Sequence, residues 1–172
     1  MHLTEKLHYL NFQIIISYHI IVFLLLKDEN NLFYLVFIRM REETLKCLVH
    51  VVEKLDEKHL QDILVRCITK LQNDTENSIR TNATIFLGRI AVKLKEGVRV
   101  RVLCVSFAKA MRDGFVHCRA AGLKAAIACL SLLDHSQLTS KLLPQVCSLL
   151  LDRSAEVREL SLKLLDLGLA VM

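Results

Sequence analysis

Asp113-Gly114-Phe115-Val116-His117-Cys118-Arg119-Ala120-Ala121-Gly122 decides the fold, because its pattern returns 39 residues away in both directions. Asp74, Asp113 and Asp152 are evenly spaced, and six residues after each comes Arg80, Arg119 and Arg158. The residue before each arginine is apolar: Ile79, Cys118, Val157. Nine after each aspartate is a small residue, Ala83, Gly122 or Ser161, and ten before each is Leu64, Leu103 or Leu142. Twenty after come Leu94, Leu133 and Met172. Such columns mark a repeat array.

Each unit reads as two helices. Residues 58–72, 98–112 and 136–151 carry apolar side chains at three and four spacing, and so do 76–94, 115–133 and 154–171. One step earlier, Met40, Arg41, Thr44 and Leu55 keep the register over a single helix, 41–55, but the expected aspartate falls on Leu35. The fold expected is an all-α solenoid of helix pairs, three full repeats plus one half repeat. With only 1 Pro and 5 Gly in 172 residues, composition favours long helices. The one proline, Pro144, lies inside a first helix and is expected to bend it.

Each aspartate falls in the turn between paired helices, where it can accept N–H groups at the start of the second helix. Each arginine can reach the aspartate of its own or a neighbouring repeat. Asp74, Arg80, Asp113, Arg119, Asp152 and Arg158 therefore read as a structural ladder that keeps the stack in register. A carboxylate beside a guanidinium is held ionised, which suits a general base poorly. The small ninth residue is expected to let adjacent repeats approach closely.

Residues 1–39 differ in kind. They contain no Ala, Gly, Pro or Cys but hold all three tyrosines, and they balance three basic against three acidic residues. The whole formal charge of +5 thus lies in the repeats. The run from Leu10 to Leu26 allows three readings: a short membrane segment, a buried or interfacial helix, or a stretch of AT-rich translated DNA joined to a truncated repeat. Two domains are expected, 1–39 and 40–172. The orphaned helix 41–55 is expected to need a neighbour.

Signs of chemistry are missing. The six cysteines form no Cys-x-x-Cys pair, and none of the seven histidines stands in metal-ligand order. No Gly-x-Ser-x-Gly string and no phosphate-cradling glycine cluster occurs. No catalytic residue, cofactor or metal is expected.

The aspartate and arginine pattern, at a period near 39, resembles the HEAT repeat. The stretch Ile79-Arg80-Thr81-Asn82-Ala83-Thr84-Ile85-Phe86-Leu87-Gly88-Arg89-Ile90 resembles the HEAT region of the SCY-like pseudokinases. So do Arg101-Val102-Leu103, Phe107, Ala110, Arg112-Asp113, Phe115, Arg119, Ala121-Gly122, Lys141-Leu142-Leu143-Pro144 and Val157-Arg158. Gly114 departs from the proline expected there, which bears on one helix start.

That resemblance implies a non-catalytic scaffold in COPI-linked Golgi-to-endoplasmic-reticulum transport, cytoplasmic and peripheral at Golgi membranes. It implies protein partners, among them coat components, and self-association. No kinase-like motif and no basic C-terminal tail occurs in the chain. An RNA- or tRNA-transport-associated binding module is the second reading. It rests on Lys93, Lys95, Arg99, Arg101, Lys109 and Arg112, although no two basic residues are adjacent.

Overall fold

The structure is a computed structural model that describes residues 39, 41–43, 45, 60, 61, 65–133 and 135–170. The Leu10–Leu26 run, most of helix 41–55, Leu64 and Met172 lie outside the described residues.

Within them the chain is helical, with no strand. Helix α1 is Val65–Leu71, α2 is Asn77–Ile90, α3 is Glu96–Met111 and α4 is Val116–Ala128. A single turn, His135–Gln137, and a π-helical stretch, Leu138–Leu142, lead into α5, Leu143–Leu149. Helix α6 is Ala155–Ala170. The second helices α2, α4 and α6 lie side by side, and α3 lies beside the π stretch and α5. Each second helix packs on the first helix before it: α2 on α1, α4 on α3, α6 on α5. This is a two-layer helical stack.

Three boundaries depart from the periodicity. The stretch 76–94 ends its α-helix at Ile90 and finishes as 3-10 helix over Ala91–Lys93. Likewise 115–133 finishes as Leu130–Leu132. In both, an extended residue follows, Leu94 at ψ 141° and Leu133 at ψ 141°, and turns the chain into the next pair. The stretch 136–151 is not one bent α-helix. Pro144 sits in the first turn of α5, where its missing N–H costs nothing, and the π stretch precedes it.

The core runs between the layers. Leu103, Leu142, Phe86, Phe107, Leu87 and Leu123 are fully buried, as are Ile79, Cys118 and Val157 before the arginines. Each large apolar side chain so placed contributes about 1.5–3 kcal/mol.

Gly122 shows how a pair closes. A Cβ there would meet the Ala110 Cβ at 2.9 Å and the backbone of Phe107 and Met111 at 3.2 Å. These residues belong to α3, the partner helix within the same pair. In this pair the small ninth residue therefore serves closure of the pair, rather than the approach of adjacent repeats that the sequence suggests. Approach between neighbouring pairs falls to Gly88, whose Cβ would lie 3.0 Å from that of Ala125 on α4. A glycine or alanine is needed wherever two helices meet this closely, because any longer side chain would push them apart.

Candidate protein-interaction surface

The ladder residues come together in one recurring arrangement. At each turn the aspartate accepts the N–H two residues on: Asp74 from Glu76 at 3.0 Å, Asp113 from Phe115 at 2.8 Å, Asp152 from Ser154 at 2.9 Å. These turns satisfy backbone donors that a helix start leaves open. The arginine one turn into the helix folds back on the same turn. Arg80 Nη1 donates to the carbonyls of Asp74 and Thr75, both at 2.9 Å. Arg119 does the same to Asp113 and Gly114, and Arg158 to Asp152 and Arg153.

The carboxylate each arginine takes belongs to the next pair. Arg80 grips Asp113 through Nε at 2.7 Å and Nη2 at 2.8 Å. Arg119 grips Asp152 at 2.7 and 3.0 Å. Arg41 reaches Asp74 through Nη1 at 2.6 Å. Forked pairing of this kind fixes orientation as well as charge. The Arg80 guanidinium holds the Asp113 carboxyl below the usual carboxylate range, and Arg119 does so for Asp152. Arg80 is raised in return, chiefly by its bond to Asp113.

A second network has no counterpart in the sequence columns. Gln72 Nε2 donates to Thr84 Oγ1 at 3.0 Å and to the carbonyl of Ser106 at 3.4 Å, and all three residues are buried. Thr84 in turn donates to the carbonyl of Arg80 at 3.0 Å. This joins the end of α1 to α2 and α3. Thr84 lies in the Asn82-Ala83-Thr84 string. The signal was present there, but Gln72 aligns with Met111 and Leu150, so column comparison passes over it.

An open groove of about 520 Å³ lies between α2 and α4 and reaches the start of α6. Gly88, Ala121 and Ala125 make a floor of small side chains, with Ile85 on one wall. Arg89, His117 and Lys124 stand on the rim against one acid, Glu156, which Lys124 meets at 2.7 Å. The His117 ring packs edge-on to Phe115 at 5.0 Å, while Cys118 turns into the core. A smaller groove brings Arg101 and Lys109 together beside Thr69 and Gln72. Lys93, Lys95, Arg99 and Arg112 do not line it. Lys109 is hydrogen-bonded to Asn73, and burial lowers its pKa.

Chemistry is sparse. No group of three or more potential metal ligands occurs among the described residues. No described helix is long and apolar enough to cross a membrane. Burial pushes the Cys118 and Cys129 thiols up to about 11, away from nucleophilic use.

No family model matches the chain. Over 119 residues it is 34% identical to a Schizosaccharomyces pombe protein, "Protein kinase domain-containing protein ppk3", a match covering 69% of this chain and 19% of that protein. It is 31% identical over 119 residues to the "Probable inactive serine/threonine-protein kinase scy1" of Dictyostelium discoideum, covering 69% of this chain and 14% of that one. The chain belongs to the SCY-like pseudokinase family. It spans less than a fifth of the length of these SCY-like relatives. Among solved structures, the crystal structure of Cex1p is 29% identical with a TM-score of 0.73, covering 88% of this chain and 27% of that one. The helical stack is thus an architecture this SCY-like chain shares with Cex1p.

Proposed function

We propose that this chain is a non-catalytic protein-interaction scaffold, and that the groove between α2 and α4 takes an amphipathic helix of a partner. The groove itself carries the reading. Its alanine and glycine floor leaves room for the apolar face of a helix. Its rim, with Arg89, His117 and Lys124 against Glu156, favours acidic residues flanking that face.

The stack is read as HEAT-type, three full repeats and one half repeat of 39-residue period over residues 40–172, with 1–39 a separate segment. The six ladder residues are read as structural in role. Each of their carboxylates is held by an arginine, Asp74 by Arg41, Asp113 by Arg80 and Asp152 by Arg119, which suits a general base poorly. Membership of the SCY-like family, one relative of which is named a probable inactive kinase, supports a role without phosphotransfer. A place in COPI-linked Golgi-to-endoplasmic-reticulum traffic, cytoplasmic and peripheral at the membrane, extends this reading. The RNA reading is the weaker. Lys109, one of the two basic residues at the α3 groove, is already engaged by Asn73.

A synthetic amphipathic helix with leucines at three and four spacing, flanked by glutamates, tests the groove against the whole chain by calorimetry. Binding is expected to fall at least tenfold in Ile85→Glu and Ala128→Glu, both at exposed positions where folding is undisturbed. No binding by the unaltered chain, or equal binding by the variants, overturns the groove reading. Co-elution with purified COPI coatomer tests the transport reading separately.

A further inference from the structure

The smaller groove, between α1 and α3, holds polar groups that the stack itself does not use. Its volume is about 210 Å³, and it shares no residue with the groove between α2 and α4. Val102 and Val105 give it an apolar wall, Arg101 and Lys109 flank it from α3, and no acid lines it. Lys109 gives one N–H to Asn73 and keeps two. Arg101 is exposed and meets no carboxylate among the described residues.

Two buried residues, Gln72 at 5% and Ser106 at 4% exposed, complete the lining. Gln72 Nε2 donates to Thr84 Oγ1 and to the carbonyl of Ser106. A carbonyl only accepts, so this bond fixes the orientation of the amide and leaves Oε1 as an acceptor. Among the described residues Gln72 Oε1 receives no hydrogen bond and the Ser106 hydroxyl makes none. Neither atom is sealed from solvent, so both open onto the groove.

The set does not recur. One pair later Gln72 becomes Met111, Arg101 becomes Ser140 and Lys109 becomes Ser148. Met111 is 1% exposed, so the equivalent junction is closed by an apolar side chain. Joining two pairs therefore does not require a buried amide, which costs free energy wherever it is left unsatisfied. Polar groups that packing does not need, opening onto a basic groove, point to a ligand.

The groove sets the chemistry of that ligand. Eight residues of helix place Arg101 and Lys109 about 12 Å apart. Four steps of extended chain cover about 13 Å and put residues i, i+2 and i+4 on one face. Carboxylates at i and i+4 match the two cations. A hydroxyl at i+2 can donate to Gln72 Oε1 and accept from Ser106 at once, and the methyl of a threonine suits Val102 and Val105. We propose that this groove is a binding site for an extended segment of a partner protein with the pattern acid, any residue, Thr or Ser, any residue, acid. A second copy of this chain does not supply it. The one such stretch in the sequence, Asp152-Arg153-Ser154-Ala155-Glu156, is already held by Arg119 and Lys124. RNA fits less well, since no aromatic ring lines the groove to stack a base.

The probe is a fluorescein-labelled peptide, Gly-Glu-Ala-Thr-Ala-Glu-Gly, titrated against the whole chain and followed by fluorescence anisotropy. Saturable binding is expected. It should weaken at least fivefold in Arg101→Gln and in Lys109→Gln, and as much when the threonine of the peptide is replaced by valine. Gln72→Met, which installs the side chain used one pair later, should weaken it while the melting transition of the chain is kept. Ile85→Glu, in the groove between α2 and α4, should leave it unchanged, so the two sites stand or fall separately. Absence of saturable binding, equal binding by Arg101→Gln and Lys109→Gln, or loss of binding in Ile85→Glu overturns the proposal. So does a uridine oligonucleotide that binds more tightly than the peptide and is lost in Arg101→Gln, which would assign the groove to RNA.

Discussion

Arg119 is bound at both ends of a span of one helix pair: it caps the carbonyl of Asp113 at 3.0 Å and grips the carboxylate of Asp152 at 2.7 Å. One guanidinium therefore closes the turn of its own pair and positions the turn of the next. Arg80 does the same one pair earlier, between Asp74 and Asp113. Stability and register are coupled at these residues, since nothing can slide without breaking forked bonds.

Removal of one partner is accordingly expected to cost more than an exposed ion pair. Asp113→Ala leaves the Phe115 N–H without its acceptor and strands a guanidinium that is only 17% exposed. The loss expected is about 3 kcal/mol. Arg80→Lys keeps the charge but loses the fork, and about 1–2 kcal/mol is expected. Urea denaturation measures both. Asp113→Ala within 0.5 kcal/mol of the unaltered chain would show that the ladder does not hold the stack.

Acid should dissolve the same contacts. The Asp113 and Asp152 carboxyls lie below their ordinary range in the folded chain, because Arg80 and Arg119 donate to them. A carboxyl lowered on folding stabilises fully above its unfolded pKa, near 3.9, and loses that contribution as pH falls through the folded value. Stability is thus expected to be flat from neutral pH to about 5 and to drop below about 4. The double variant Asp113→Asn, Asp152→Asn should show a shallower drop over that window. An identical acid limb would place the titrating groups elsewhere.

The repeat columns were readable because each column meets the same surroundings in every pair. Asp74, Asp113 and Asp152 occupy equivalent turns, and so share residue type. Which aspartate each arginine takes was not readable, since the own-pair and next-pair partners are both compatible with spacing along one chain. Gly122 shows a related limit. Its small size was visible, but the helix it faces depends on how the pair crosses. Ala121 and Ala125 have the spacing of an apolar helix face, which reads as core. Their place at the floor of an open groove appears only once α2 lies beside α4. Gln72 was invisible for the opposite reason: a polar link made once leaves no column.

Two glycines separate close packing from helix propensity. Gly122→Ala puts a methyl 2.9 Å from that of Ala110 and 3.2 Å from α3 backbone, which cannot rotate away. A loss of about 1–3 kcal/mol is expected. Gly97→Ala, in the first turn of α3, meets nothing within 4 Å, and its φ is not left-handed. There the same substitution reduces the freedom of the unfolded chain and should stabilise by roughly 0.5–1 kcal/mol. Thermal melts of the two variants should move in opposite directions. A gain from Gly122→Ala would mean that α3 and α4 cross less closely.

Thiol labelling gives an independent reading of the layers. Cys104, Cys118 and Cys129 are buried, and Cys147 is exposed on α5. Burial also pushes Cys118 and Cys129 up to about 11, so at pH 8 they hold very little thiolate. Cys129 further directs its Sγ to the carbonyl of Gly88 at 3.4 Å, beneath the α2–α4 contact. Alkylation depends on both thiolate and access. Iodoacetamide at pH 8 is therefore expected to modify Cys147 within minutes, and the three buried thiols only as fast as the stack opens. Mass spectrometry of peptides follows each site. In Asp113→Ala, where the ladder is cut, Cys118 and Cys129 should become labelled sooner while Cys147 keeps its rate. Rapid labelling of Cys129 in the unaltered chain would contradict the close approach of α2 and α4.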